Sequence, residues 1–415
     1  MNRTITRWGA SAAISAAMLV GLAGAGQAQQ TNWLKKFKDP NKESITLKGQ
    51  GYFYVNGRYF TDEGDPNTVG GMRMTGQQYV EFQIPKHVKH RYPIVMIHGG
   101  SQTAANWMGT LDGREGWRSF FTANGYVVYL VDQVGRGRSP AYNPLPPAPE
   151  VYGTPFGRPA NVLSRERTWT IPEQYMDYAN AAMHTQWPSF GQPGAGKPGD
   201  PYFDQFFASQ IQSRNDPSGM DTQRDAQNAG AALLDKIGPA IVITHSQSAA
   251  QGFLITDARP NLVKALVTLE TGGGRATGPT TTGWVITAAP ITYSPPVTNP
   301  ATQLSFAEEP TADGPNLIKC WLQTAPARQL PNLQRTNHLL IVAEASAASH
   351  TFHCVSKYLR QAGVEHTFAN LGQVGIHGNA HMIMVEKNAL QTAAFVASWL
   401  EDKLEKKRGR HNDDD

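Results

Sequence analysis

Five short, nearly continuous apolar runs recur along the chain, and each one stops abruptly in small or polar residues. They are YPIVMIH (92–98), YVVYLVD (126–132), AIVIT (240–244), VKALVTLE (263–270) and HLLIVAE (338–344). Runs of this length without polar alternation are typical of parallel strands that helices bury on both faces. Helical stretches between several of them complete βαβ units. The pattern predicts an α/β fold around a mostly parallel central sheet with flanking helices.

Strands of a different kind precede this sheet. Over residues 45–60 and 72–84, β-branched and aromatic side chains alternate with polar ones. Antiparallel strands with one face in water alternate in this way. We therefore expect a single large domain over residues 45–404, with antiparallel strands at its start and a last helix over residues 386–404.

Two long segments interrupt the alternation of strands and helices. Residues 139–224 are rich in Pro and Gly yet carry many aromatic side chains, and residues 271–336 are rich in Thr, Pro, Gly and Ala. Loops of this length are uncommon in compact domains unless they cover a site or are disordered. We predict a packed cap for the first segment and a second insertion for the other. The polar lead-in 29–44 and the charged tail 405–415 are predicted to be loosely ordered and disordered, respectively.

The first residues predict export from the cell. Two arginines precede an apolar stretch over residues 10–22, and Gly26-Gln27-Ala28 offers a small-x-small cleavage site. This is the layout of a secretory signal peptide over residues 1–28. A membrane anchor is the alternative, but the stretch is short for a helix that needs about 20 residues to span a bilayer. We expect a secreted or periplasmic protein that is free of the membrane after cleavage.

Charge and cysteine content narrow the choice of function. The formal net charge is +4, two of its positive charges belong to the signal segment, and no basic stripe suggests a nucleic-acid partner. Cys320 and Cys354 are the only cysteines. In an oxidising compartment an even pair predicts a structural disulfide, and two free buried thiols are the alternative.

The apolar run 240–244 leads into a cluster of hydroxyl-bearing residues. In a nucleophile elbow, a serine occupies a sharp strand-to-helix turn between small residues, usually as G-x-S-x-G. Here the segment reads THSQS, which lacks both glycines. A second register centred on Ser248 also fits. Because the apolar run ends at Thr244, Ser246 is predicted at the tip of the turn, with Ser248 already in the helix.

A serine nucleophile needs a base to take its proton and donors that face the developing oxyanion. The motif HGGS follows the first buried strand, and we predict the backbone N–H groups of Gly100 and Gln247 as the oxyanion donors. His381, in the loop 375–388 before the last helix, is the predicted base, with His377 as its competitor. The order Ser, acid, His is that of α/β-hydrolases.

Two glutamates compete for the role of the acid that orients the base. Glu344 lies near the usual position after the seventh strand, whereas Glu270 ends the preceding strand, at the mouth of the same crevice. A carboxylate at the end of a buried run carries a desolvation cost that a histidine N–H would offset. We therefore predict Glu270 as the acid, with Glu344 as the alternative.

These motifs together resemble a known group of enzymes. HGGSQTAANW, DGREGWRSFF, VDQVGRGRSP, THSQSA, TLETG and GIHGNAHMIMVEKN are similar to the α/β-hydrolase group of bacterial serine esterases called the esterase seven-one-three type. The resemblance covers about residues 45–403 and implies the α/β-hydrolase fold. It also implies a triad whose acid is a glutamate after strand six, which corresponds here to Ser246, Glu270 and His381.

The chain departs from this group in two places. The type member has two adjacent cysteines where this chain has Gly100 and Ser101, so nothing that depends on that cysteine pair is carried over. The insertion after Glu270 is longer here, so the substrate range is not carried over either.

The sequence therefore predicts a secreted serine hydrolase that cleaves carboxylic esters through an acyl-enzyme, without a metal or an organic cofactor. A lactonase, an amidase or an acyltransferase with the same triad is the alternative, since fold alone does not choose among them. A non-catalytic binding module is least favoured because every triad member has a candidate. The expected partner is a small-molecule or polymeric ester; a homodimer, the ester's chain length and motion of the cap stay open.

Overall fold

The computed structural model describes residues 31–62, 71–140, 160–213, 216, 218–271 and 283–405. The predicted signal peptide and the tail beyond Glu405 lie outside these residues. The strands are Leu47–Asp62 (β1), Gly71–Pro85 (β2), Ile94–Ile97 (β3), Val128–Val131 (β4), Ala240–His245 (β5), Val263–Leu269 (β6), Phe306–Glu308 (β7), Trp321–Gln323 (β8), Asn337–Val342 (β9) and His366–Asn370 (β10). The α-helices are Ala105–Met108 (α1), Trp117–Ala123 (α2), Val162–Arg165 (α3), Pro172–Tyr175 (α4), Pro201–Ala208 (α5), Met220–Ile237 (α6), Ser248–Ala258 (α7), Pro300–Gln303 (α8), Phe352–Gln361 (α9) and Ala389–Leu404 (α10). Helix α3 continues as a π-helical turn, Glu166–Thr170.

The central sheet has the strand order β1-β2-β4-β3-β5-β6-β9-β10. Strands β4, β3, β5, β6, β9 and β10 pair in parallel, whereas β1 and β2 pair antiparallel with each other and β2 pairs antiparallel with β4. This arrangement confirms the predicted mostly parallel sheet with antiparallel strands at its start.

The parallel strands are apolar on both faces because each face packs against helices. In β3, Ile94 and Met96 join one core cluster and Val95 and Ile97 join the other, since successive side chains of a strand point to opposite faces. Helices α2 and α10 contribute to the first cluster, and α6, α7 and α9 to the second. Burial on both faces explains why these strands read as unbroken apolar runs.

The sheet topology brings loops that are distant in sequence to a single edge. Strand β3 has β4 on one side and β5 on the other, so the chain reverses its direction of travel across the sheet at β3. Ligands of open α/β sheets bind beyond the carboxyl ends of the strands at such a switch point. The loops after β3, β4, β5, β6 and β9 all emerge at this edge.

Three elements of the structure differ from the prediction. Strand β10 completes the sheet but was not predicted, because HTFAN lacks the continuous apolar run of its neighbours. Helix α10 begins at Ala389 rather than at residue 386, since the Glu386 side chain turns inward to accept hydrogen bonds from Asn379 and Ala380. Helix α6 begins at Met220, inside the segment predicted as the first insertion.

Two further features bear on where the protein resides. Cys320 and Cys354 form a disulfide that joins the start of β8 to α9. Among the residues that the structure describes, no helix is both long enough and apolar enough to cross a bilayer.

Candidate active site

Ser246 stands on the sharp turn between β5 and α7. Its backbone has φ +55°, a left-handed conformation that costs a residue with a side chain roughly 1–2 kcal/mol. The turn is held by a hydrogen bond of 2.8 Å from the Ser246 N–H to the carbonyl oxygen of Leu269. A Cβ atom at Gly99 would lie 3.2 Å from Ser246 Cβ and 2.8 Å from His245 Nδ1. The loop after β3 can therefore approach the elbow closely only because residue 99 is glycine.

Ser248, the centre of the competing register, has a different environment. It is the first residue of α7 and is fully buried. Its hydroxyl lies 2.9 Å from the carbonyl oxygens of Ile97 and His245 and accepts a hydrogen bond from the His245 N–H. The Ser248 side chain thus ties the elbow to the end of β3, whereas Ser246 is partly exposed.

His381 and Glu270 meet directly beside this elbow. His381 Nδ1 lies 3.0 Å from Glu270 Oε2. The rings of His381 and His245 have centroids 4.7 Å apart, and His245 Nε2 lies 2.9 Å from the His381 carbonyl oxygen. The loop that carries His381 is therefore fastened to the residue that precedes Ser246. Glu270, like Ser246, has a positive φ (+58°) at the end of its strand.

The buried carboxylate of Glu270 is surrounded by hydrogen-bond donors. Its Oε1 accepts from the Ala343 N–H at 2.6 Å, and its Oε2 accepts from the hydroxyl of Ser346 as well as facing His381. Burial raises the pKa of Glu270, and the hydrogen bonds from Ala343 and Ser346 oppose that rise. Three donors around two oxygens favour the ionised carboxylate.

The imidazole of His381 is held in its neutral form. Burial lowers its pKa to about 4, and the positive charge of Arg165 lowers it as well. With Glu270 ionised, Nδ1 carries the proton and donates to the carboxylate, which leaves Nε2 as an unprotonated acceptor.

The competing base and the alternative acid form a separate pair. His377 Nδ1 lies 3.0 Å from Glu344 Oε1, and Glu344 Oε2 accepts from the Gly378 N–H at 2.9 Å. In this structure Glu344 therefore pairs with His377 and not with His381. The loop after β9 directs Glu344 toward residues 377–378, which precede His381 by four and three positions.

The two residues that carry the predicted oxyanion donors, Gly100 and Gln247, are close neighbours. A Cβ atom at Gly100 would be 3.5 Å from Gln247 Oε1. Within the described residues, neither the Gly100 N–H nor the Gln247 N–H donates to a protein acceptor. Two such donors at a strand-to-helix turn are available to bind an oxygen that gains negative charge.

Arg136, which the sequence reading did not single out, fixes the orientation of these donors. Its Nη1 donates to the Gly99 carbonyl oxygen at 3.1 Å and its Nη2 to Gln247 Oε1 at 2.7 Å. His98 Nδ1 donates to the same carbonyl at 2.8 Å. Because C=O and N–H of a trans peptide point in opposite directions, fixing the Gly99 carbonyl also fixes the Gly100 N–H. The position of Arg136 in the glycine-rich turn GRGRS after β4 is the sequence signal that could have indicated its role.

The first insertion contributes two side chains to the site. The ring of Trp169 stacks on that of His381 with centroids 5.2 Å apart, and the guanidinium carbon of Arg165 lies 3.7 Å from the Trp169 ring centroid. Arg165 Nη2 also donates to the hydroxyl of Ser101 at 3.1 Å. Residues from the predicted cap therefore contact both His381 and the loop after β3.

A group of potential metal ligands lies elsewhere, at the disulfide. Cys320, His353 and Cys354 are close together. Because the two sulfur atoms are bonded to each other, neither is a thiolate that could ligate an ion. This group therefore serves as a covalent link between β8 and α9.

The sheet topology and the elbow at its switch point define the class: the protein is an α/β-hydrolase. Among solved structures, one described as the atomic-resolution structure of a novel bacterial esterase matches with a TM-score of 0.58, at 23% identity, over 87% of this chain and 98% of that chain. This likeness confirms the predicted fold. Naproxen esterase from Bacillus subtilis, at 12% identity and a TM-score of 0.36 over 83% of this chain and 92% of its own, is too distant to add to it.

A closer relative identifies the family. The chain is 40% identical over 380 residues, 89% of its length and 94% of the relative's, to the "Probable secreted lipase phiG" of Fungal sp. (strain ATCC 74256). No protein-family model matches the chain. At this identity and coverage the chain belongs to the same family, and it is a carboxylic ester hydrolase of the α/β-hydrolase superfamily.

Proposed function

We propose that the protein is a secreted serine esterase that works through an acyl-enzyme on Ser246, with His381 as its base and Glu270 as the acid. The observation that carries the proposal is the 3.0 Å contact between His381 Nδ1 and Glu270 Oε2 beside the strained turn of Ser246. Such a pair activates a hydroxyl whose own pKa is far too high for attack at neutral pH.

The first half of the reaction transfers the acyl group to the enzyme. The Ser246 hydroxyl oxygen attacks the ester carbonyl while His381 Nε2 takes its proton, and Glu270 stabilises the imidazolium through the Nδ1 hydrogen bond. The carbonyl oxygen becomes an oxyanion and accepts hydrogen bonds from the Gly100 and Gln247 N–H groups. The tetrahedral intermediate then collapses, and the leaving alcohol takes the proton from His381.

The second half restores the enzyme. A water molecule gives a proton to His381 and attacks the acyl-enzyme, which forms a second oxyanion in the same position. Collapse releases the carboxylic acid, and Ser246 recovers its proton from His381. Losing one oxyanion donor costs roughly 3–4 kcal/mol of transition-state stabilisation in a well-studied hydrolase, so the orientation imposed by Arg136 contributes to both halves.

Two observations support secretion. The relative is named as secreted, and the Cys320–Cys354 disulfide is of a kind that persists in oxidising compartments and is rare in the cytosol. Cleavage near Ala28 follows from the sequence alone. The amino terminus of protein recovered from the medium or periplasm should begin near Gln29, whereas an intact Met1 in a membrane fraction would contradict export.

Active-site labelling tests the triad. A fluorophosphonate should modify the wild-type protein, and peptide mapping by mass spectrometry should find the adduct on Ser246. Ser246→Ala should abolish labelling, while Ser218→Ala, an exposed serine just before α6, should be labelled like the wild type. Labelling that persists in Ser246→Ala, or an adduct on Ser248, would refute the assignment of the nucleophile.

A further inference from the structure

Arg165 reaches the candidate active site from two sides. Its Nη2 donates to the hydroxyl of Ser101, next to the proposed oxyanion donor Gly100. Its guanidinium carbon also lies 3.7 Å from the ring centroid of Trp169, which in turn stacks on His381. The arginine therefore contacts both the loop that carries Gly100 and the ring that stacks on His381.

Within the described part of the chain, no carboxylate pairs with this guanidinium. Two residues further along, Arg167 is paired with Asp177 at 2.6 and 2.5 Å. In contrast, Arg165 Nε is buried and finds no hydrogen-bond acceptor among the residues that the structure describes. Burial lowers the pKa of Arg165, as expected for a cation that has lost water without gaining an anion. A half-buried charge of this kind costs free energy until an anion compensates it.

The second arginine at the site, Arg136, cannot take this role. Its donors are used by the Gly99 carbonyl and by Gln247, and the residue is buried. It has no carboxylate partner among the described residues either, so it adds to the positive potential without offering a free edge. Arg165 differs because stacking on Trp169 occupies the face of its guanidinium. Within the described residues its Nη2 donates to Ser101 and its Nε is buried, so Nη1 is the group left to pair with an anion.

An unpaired cation at this position works against the chemistry of His381. The imidazole must become positively charged when it takes the proton of Ser246, and Arg165 already lowers the pKa of His381. A neutral ester would leave this repulsion in place throughout the reaction. An ester that brings its own anion to Arg165 would cancel the charge and make the imidazolium easier to form.

We propose that Arg165 binds a carboxylate carried by the substrate, so that the preferred substrates are anionic esters such as monoesters of dicarboxylic acids. The inference rests on the proposed esterase function and adds the substrate class. Arg165 is then a residue that determines specificity, and Trp169 positions it.

Matched pairs of esters that differ only by the anion test the proposal. Monoethyl succinate and monoethyl adipate are compared with ethyl butyrate and ethyl hexanoate, and acetoxyacetate is compared with ethyl acetate, by titration of the released acid at constant pH. In at least one pair the wild type should hydrolyse the anionic ester with a kcat/KM about 10- to 100-fold higher, the range expected for one charge-assisted hydrogen-bonded pair.

Variants separate specificity from a structural role. Arg165→Gln should remove the preference for the anionic ester, mainly through KM, whereas Arg165→Lys should keep part of the preference because it keeps the charge. Arg167→Gln, whose side chain is exposed and paired outside the site, should behave like the wild type.

Three results would overturn the inference. They are a wild type that favours the neutral ester in every pair, a preference that survives Arg165→Gln, and an equal loss on both esters in Arg165→Gln, which would make Arg165 a support for Ser101 and Trp169 only. Failure of the esterase proposal is distinguishable, since the wild type would then hydrolyse no ester of either kind and would not be labelled at Ser246.

Discussion

His377 and His381 lie four residues apart in the same loop, and each forms a pair with a glutamate. The two pairs have nearly the same geometry. His381 and His377 each place Nδ1 3.0 Å from a glutamate oxygen, of Glu270 and Glu344 respectively. Only the first pair adjoins a serine on a strained turn. A hydrogen-bonded His–Glu pair is therefore not sufficient to define a base, and its position relative to the strand ends decides what it can do.

The surroundings of the two pairs differ in burial and in hydrogen bonding. The side chains of His381 and Glu270 are 13% and 0% exposed, against 31% and 19% for His377 and Glu344. Glu270 accepts additional hydrogen bonds from Ala343 and Ser346, on the loop after β9. The His381–Glu270 pair is thus held by residues at the ends of three strands, β5, β6 and β9. The His377–Glu344 pair, in contrast, links two neighbouring loops.

Exchanging the two histidines for alanine should give the largest contrast. His381→Ala should lower kcat by about 10⁴- to 10⁶-fold, because removing the base of a serine triad costs nearly as much as removing the whole triad. His377→Ala should stay within about threefold of the wild type, as a substitution outside the reacting groups. Steady-state hydrolysis of one neutral ester measures both, and comparable losses would erase the distinction between the pairs.

Replacing the two glutamates should affect kcat unequally in the same direction, with a smaller contrast than between the histidine variants. Glu270→Gln should lower kcat by about 10²- to 10⁴-fold, since the amide no longer stabilises the imidazolium or enforces its tautomer. Glu344→Gln should be mild. Circular dichroism and thermal melts must show that both variants fold. A mild Glu270→Gln together with a severe Glu344→Gln would reverse the assignment of the acid.

The pH dependence of kcat/KM should reveal how strongly the His381–Glu270 pair is desolvated. Burial lowers the pKa of His381 to about 4, so the neutral base persists below the ordinary pKa of about 6.5 for histidine. The acidic limb should accordingly lie well below pH 6.5. It should move toward neutral pH in Arg165→Gln, which removes a nearby cation, and not in Arg167→Gln. Burial raises the pKa of Glu270 to about 8. An acidic limb near pH 8 would instead mean that Glu270 takes the proton first.

Another histidine, His184, extends the comparison to a buried imidazole between two glutamates. His184 lies 2.7 Å from Glu173 and 3.2 Å from Glu386, so that the first insertion is bridged to the segment before α10. Burial alone lowers its pKa, but the hydrogen bonds to these two carboxylates raise it to about 9. Here the partners stabilise the charged imidazolium, which makes this histidine a structural cation.

This contact should make stability depend on pH in the opposite sense to an ordinary carboxylate. Because the folded pKa lies above the unfolded value, the stabilisation is complete below about pH 6.5 and is lost as the pH rises through about 9. Between pH 6 and pH 9.5 the free energy of unfolding of the wild type should fall by on the order of 2–3 kcal/mol more than that of His184→Gln. Denaturant unfolding at both pH values checks this, and parallel losses in the two proteins would contradict it.

Much of the site could be predicted because its residues follow directly from strand ends. The run AIVIT identified β5, and its end at Thr244 led to Ser246 at the tip and Ser248 in the helix, where the structure has them. Glu270 was found in the same way at the end of β6. In each case the signal was local, since a buried parallel strand is an unbroken apolar run and its last residue is easy to locate.

Arg136, Arg165 and Trp169 were not predicted because no local pattern marks them. Arg136 comes from a glycine-rich turn after β4, and the other two belong to a segment whose composition indicated only a packed cap. Their roles depend on the Gly99 carbonyl, the Ser101 hydroxyl and the ring of His381, all distant in sequence. A residue whose partner lies 37 or more positions away leaves no periodic signal.

The sequence by itself determined the kind of fold, the elbow serine and a short set of acids and bases, because burial on two faces and a strand-to-helix turn impose local rules on residue type. Only the tertiary structure decided which histidine meets which glutamate and which arginine lacks a counter-ion among the described residues. Those outcomes depend on how the loops at the carboxyl edge of the sheet converge, and hydrogen bonds and charges act over a few ångströms of space regardless of separation along the chain.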